Sequence, residues 1–120
     1  MPEGTQNSPK KEAARPEALS RLLGIGLSGH MHGATLIGSD HKPLRPCILW
    51  NDGRSAQECV ELEAKADFRG IAGNIVMAGF TAPKLAWVAK HEPKIFEAIY
   101  KVLLPKDYVR LWLTGEFASE

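Results

Sequence analysis

GLSGHMHGATLIGSDHKPLRPCILWNDGR, residues 26–54, sets a His-containing loop and a Trp-Asn-Asp loop at the two ends of a predicted hairpin. The run just before it, residues 22–27, is short, apolar and bounded by polar sequence, so it reads as a buried strand whose glycines allow close backbone approach. Residues 34–37 and 47–50 read as two further strands around Gly38-Ser39-Asp40-His41-Lys42-Pro43, a turn-rich connection. Strand-like segments that each end in hydrogen-bonding residues are how an α/β protein builds a ligand site at the carboxyl edge of a sheet.

Outward from this stretch the pattern turns helical. Asp52 can cap a helix running to about Lys65, whose apolar positions Ala56, Cys59, Val60 and Leu62 form a partial stripe. Thr81 can cap a second helix, with Pro83 in the tolerated first turn and Leu85 and Val88 facing inward. Pro93 starts a third. Residues 101–104 read as a strand stopped by Pro105, and residues 107–114 as a helix ended by Gly115. Strands interspersed with helices predict an α/β layered arrangement. Trp87 and Trp112 fall on helical stripes and are expected in the core, with Phe80 as a packing residue.

The chain has 120 residues, enough for one small domain or part of one. A formal charge of +1, with both signs mixed along the chain, creates no single-sign field to recruit nucleic acid or an anionic membrane. Residues 1–18 are rich in Pro, Glu, Lys, Ser and Asn and read as a disordered leader. They hold no apolar core for a signal peptide, and no apolar run in the chain approaches the roughly 18 residues needed to span a bilayer. The expected compartment is the cytoplasm, and the expected partner a small molecule. Cys47 and Cys59, the only cysteines, lack CxxC spacing and read as two buried reduced thiols, with a disulfide or a zinc site as the alternatives.

Two histidines spaced by one residue, His30 and His32, would point to the same side at a strand end and could share a metal ion. A metal-dependent hydrolase built on that motif needs further ligands and a barrel of about 250 residues. Structural histidines are the plainer alternative. Trp50 could stack against the apolar face of a ligand while Asp52 bonds its polar groups, or Trp50 could be core and Asp52 an N-cap. Arg54 could pair with Glu58 on the helix surface. Lys84, Lys106, Asp107 and Arg110 read as solvated or capping residues without a catalytic role.

Three long stretches, GHMHGATLIGSDHKPLRPCILWNDGRSAQECVELEA, GNIVMAGFTAPKLAWVAKHEP and KVLLPKDYVRLWLTGEFAS, resemble in order and spacing the amino-terminal domain of the xylulokinases, in the FGGY family of carbohydrate kinases. The resemblance covers roughly residues 22–119, and long ordered matches are far more specific than a lone motif. It implies a ribonuclease H-like, actin-like ATPase fold, present here as an incomplete copy over residues 19–120. It also implies a site: Met31 and His32 line the sugar pocket, Trp50 lies at the substrate with Asp52 beside it, and Gly79 approaches the sugar through its backbone. His30 stands where such kinases more often have Gln, and Ala78 where they commonly have Pro.

The implied activity is phosphorylation of D-xylulose by ATP with Mg2+, an alcohol-acceptor phosphotransferase reaction, with D-xylulose as partner and a homodimer as the complete enzyme. The family's phosphate-handling Gly-x-Asp-x-Gly-Thr loop and its later catalytic aspartate are not in these 120 residues, nor is a Walker-type loop. The expectation is that the stretch carries no catalytic residue, binds neither ATP nor Mg2+ well, and is inactive by itself. A noncatalytic sugar-binding module is the alternative.

Overall fold

A computed structural model describes residues 16–119; residues 1–15, which hold most of the expected leader, and Glu120 lie outside that description. The elements follow in the order α1 (Pro16–Leu19), β1 (Thr35–Ile37), α2 (Ala56–Lys65), α3 (Phe68–Ala72), α4 (Thr81–His91), α5 (Pro93–Ala98), β2 (Lys101–Leu103) and α6 (Pro105–Thr114).

β1 is buried along its whole length and pairs antiparallel with β2, matching Thr35 to Leu103, Leu36 to Val102 and Ile37 to Lys101. Alternation along the strand then feeds two cores. Ala34 and Leu36 pack with Ile48 and Val88, flanked by Leu85, Trp87, Ile95 and Ile99 from the α4–α5 side. Ile37 faces the other way, onto Leu103, Leu111 and Tyr108 of the β2–α6 side. The expected hairpin partner, residues 47–50, is not a strand. It touches the sheet only through an isolated antiparallel bridge from Ile48 to Ala34, with a second bridge from Pro43 to Ile37. Pro43 and Pro46 remove two amide donors from the returning arm, which prevents a continuous ladder.

Residues 22–27 also depart from expectation. They form no strand, Leu23 is fully exposed, and Leu22 and Ile25 are more than half exposed. No strand among the described residues lies beside them, and an apolar run is buried only when something covers it.

The helix signals held better. Val88 is buried in α4 as the stripe predicts, Pro93 occupies the first turn of α5, and α6 ends at Gly115 with φ 74°, its N–H donating to the Leu111 carbonyl at 2.7 Å. Glycine is the residue that takes this left-handed conformation without a Cβ penalty. Two caps are reassigned. Asp52 lies ahead of the α2 start, where Ser55 holds the N-cap position without a capping bond, and Thr81 is the first residue inside α4 rather than its cap. α3 was not expected; Asp67 caps it by accepting from the Gly70 N–H at 2.9 Å, and Gly73 ends it at φ 72°. Trp87 packs half-buried on the core, whereas Trp112 is 76 % exposed and outside it. Among the described residues no helix is long and apolar enough to cross a membrane.

Candidate functional site

The antiparallel bridge between Ala34 and Ile48 places the residues before β1 and the residues after Ile48 at the same end of the molecule. His32 enters β1 through a left-handed turn, φ 61°, and its carbonyl accepts the Thr81 hydroxyl at 3.1 Å. The turn is tight: a Cβ on Gly33 would fall 2.5 Å from His30 Cε1 and 2.8 Å from Pro105 Cγ. Because this is a turn and not a strand end, the two histidines do not share a side. His30 and Met31 line a cleft with Leu27, Leu104 and Lys106, whereas His32 lines another with Phe68, Ile75, Phe80 and Pro83. The paired metal-ligand geometry expected of His30 and His32 is therefore not formed, and no group of three or more His, Cys, Asp or Glu side chains among the described residues is arranged to hold a metal ion.

The loop before α4 closes against both ends of the 26–54 stretch. Phe80 meets the His32 ring at a centroid distance of 4.7 Å, tilted by 56°. Gly79 runs so close to Trp50 that a Cβ there would lie 2.7 Å from the Trp50 carbonyl oxygen. This is the requirement for glycine at position 79, and it is steric rather than conformational. Val76 N–H donates to Glu63 at 2.6 Å and Ser55 Oγ to the Ala78 carbonyl at 3.4 Å, tying the same loop to α2.

Trp50, whose backbone meets this loop at Gly79, is 55 % exposed. Two residues on, Asp52 is held in place by Arg54. Its Oδ1 accepts from the Arg54 backbone N–H at 3.0 Å and from Nε at 2.9 Å, and its Oδ2 from Nη2 at 2.8 Å. These bonds hold the Asp52 carboxyl below the usual carboxylate range. The expected Arg54–Glu58 pair is replaced by this one, and the Arg54 guanidinium also lies 4.9 Å from the Trp87 ring centroid, on the α4 core helix.

Lys84, expected on a solvated surface, is fully buried in the first turns of α4. Its Nζ donates to the Ala78 carbonyl at 3.3 Å, to the Phe80 carbonyl at 3.0 Å, and to the Gly79 carbonyl between them. Burial pushes the ammonium below its ordinary pKa, with the Asp52 carboxylate acting in the opposite direction. A lysine flanked by the core residues Pro83, Leu85 and Val88 was the available signal. The loop that carries Gly79 thus touches the His32 ring and the Trp50 backbone, Asp52 is held by Arg54 two residues beyond Trp50, and Met31, 64 % exposed, turns to the neighbouring cleft.

Comparison with known proteins places this arrangement in a family. The FGGY family of carbohydrate kinases, N-terminal domain, matches residues 12–120. The chain is 60% identical over 104 residues to a xylulose kinase of Escherichia coli (strain K12), covering 86% of this chain and 22% of that protein. A xylulose kinase of Bacillus subtilis (strain 168) is 44% identical over 99 residues, covering 81% and 20%. Among solved structures, a xyloylose kinase from Brucella ovis superposes with a TM-score of 0.80 at 64% identity, over 87% of this chain and 22% of that one. A xylulose kinase from Rhodospirillum rubrum gives 0.69 at 36% identity, over 72% and 18%. The chain therefore spans about a fifth of the length of the relatives it matches. The α/β fold is part of the ribonuclease H-like, actin-like ATPase domain of a sugar kinase. The chain belongs to the FGGY family of carbohydrate kinases.

Proposed function

We propose that these residues form the sugar-binding side of a xylulokinase, in which the γ-phosphoryl group of ATP is transferred to a hydroxyl of D-xylulose with Mg2+ as the metal. The observation that carries this reading is the seating of the loop before α4 against both the His32 ring, through Phe80, and the Trp50 backbone, through Gly79, within a chain similar to xylulose kinases along most of its length.

Each group has a chemical fit to a sugar. Among the described residues neither ring nitrogen of His32 is engaged in a hydrogen bond, so the imidazole can donate to one hydroxyl and accept from another. The exposed indole of Trp50 offers a flat apolar face for sugar C–H groups. Asp52 uses three acceptor positions on Arg54 and keeps lone-pair capacity at Oδ2 for one hydroxyl donor. Gly79 lets the backbone reach the ligand, whereas Met31, turned to the neighbouring cleft, takes no part in this reading. In this reading the chain's part is to bind and orient the sugar. The 120 residues alone are proposed to be without phosphotransferase activity.

The test is a chimera in which residues 22–119 replace the matching stretch of the Escherichia coli xylulose kinase. Phosphorylation of D-xylulose at a rate near that of the parent supports the reading. A folded chimera that binds ATP yet shows no use of D-xylulose overturns it.

A further inference from the structure

Lys84 occupies a position that general preference disfavours twice. An ammonium in the first turns of a helix opposes the macrodipole, and a fully buried charge is costly unless its donors are matched. Leu or Met would fill the same space beside Pro83 and Val88 without either cost. What an apolar side chain cannot do is draw three consecutive carbonyls, those of Ala78, Gly79 and Phe80, onto one point. Those bonds use all three ammonium donors. They also fix the one loop that touches both halves of the candidate site, since Gly79 abuts the Trp50 carbonyl, Phe80 meets the His32 ring, and Thr81 bonds the His32 carbonyl.

We infer that Lys84 is a positioning residue: by clamping the Ala78, Gly79 and Phe80 carbonyls it sets how the loop seats against the His32 ring and the Trp50 backbone, and through them the placement of the residues that bind the sugar. The inference rests on the sugar-site reading above and deepens it. Lys84 itself, enclosed on all sides, acts through the loop and not by contact with the ligand.

The experiment is steady-state kinetics on the chimeric kinase with sugar and ATP varied separately, for the parent, Lys84→Met, Lys84→Gln and His32→Ala. Misplacement of a binding group by 1 Å can cost about 10²-fold in rate. The KM for D-xylulose is expected to rise about tenfold in Lys84→Met, by less in Lys84→Gln, which keeps two donors, while the KM for ATP stays within about twofold. A purely structural lysine would lower the melting temperature and leave the sugar-to-ATP KM ratio at the parent value, and that result overturns the inference. If Lys84→Met does not fold, the same ratio in Lys84→Gln decides. His32→Ala separates the two levels: a raised sugar KM there with a parental ratio in the lysine variants removes only the Lys84 role, whereas an unchanged sugar KM in His32→Ala removes the sugar-site reading and the inference with it.

Discussion

The His32 imidazole and the Phe80 ring face each other at 4.7 Å, and the Thr81 hydroxyl next to Phe80 bonds the His32 carbonyl at 3.1 Å. The turn into β1 and the start of α4 are therefore tied at two adjacent points. An aromatic contact beside a side chain-to-backbone bond fixes both the ring and the chain that carries it.

In the chimeric kinase, His32→Ala is expected to lower kcat/KM for D-xylulose while ATP binding stays at the parent level. Loss of one hydrogen bond to an uncharged hydroxyl costs about 0.5–1.5 kcal/mol, a decrease of roughly two- to tenfold. Equal losses for sugar and nucleotide would contradict the placement of His32 at the sugar.

Gly79→Ala forces a methyl group to within 2.7 Å of the Trp50 carbonyl oxygen, a backbone atom that cannot rotate away. Overpacking of this kind costs about 1–3 kcal/mol. Gly53→Ala, which meets nothing within 4 Å, serves as the control and should be near neutral. Urea unfolding of both variants checks the difference, which vanishes if the loop is free to shift.

The Asp52–Arg54 pair carries a pH signature. Asp52 has its folded-state pKa lowered below the ordinary 3.8 by hydrogen bonds from Arg54. Its contribution is therefore fully present above the unfolded value and is lost as pH falls through the folded one. The pair is partly exposed, with side-chain accessibilities of 24% for Asp52 and 37% for Arg54, so about 0.2–1 kcal/mol is at stake. Asp52→Asn should be less stable than the parent by that amount at about pH 6, with the gap closing toward about pH 3. A gap independent of pH would assign the effect to something other than the charge.

Cys47 and Cys59 should separate by reactivity. Cys59 is buried and its thiol is pushed up above 9.0 by desolvation, whereas Cys47 is half-buried. The thiolate is the reacting species, so alkylation at about pH 8 should label Cys47 first. Mass spectrometry of the labelled chain reads the order directly.

Local signals that punctuate the chain were legible. Pro93, Pro105 and Gly115 mark element boundaries through missing donors and a left-handed cap, and the structure puts boundaries there. What required distant chain was not legible. The alternating residues around Leu36 announced a strand, but its ladder partner is Val102 and not the nearby Ile48, because Pro43 and Pro46 spoil the local return. Residues 22–27 had the composition of a core strand, and burial depends on a neighbour that composition cannot reveal. In the site, loop order and family resemblance predict Met31-His32 and Asn51-Asp52 meeting at one cavity edge; the left-handed turn at His32 instead sends Met31 and His32 into different clefts. Lys84 was missed because a lysine on a helix is ordinarily solvated, and only the course of the preceding loop shows three carbonyls turned toward it.

The leucines and isoleucine of residues 22–27 lie along extended, exposed chain with no backbone partner for residues 23–30 among the described residues. Such a stretch is a handle for the machinery of protein quality control, since proteases cleave accessible extended chain and chaperones grip exposed apolar segments. A surface that covers it would take that handle away while leaving the packing of β1 on α4 unchanged.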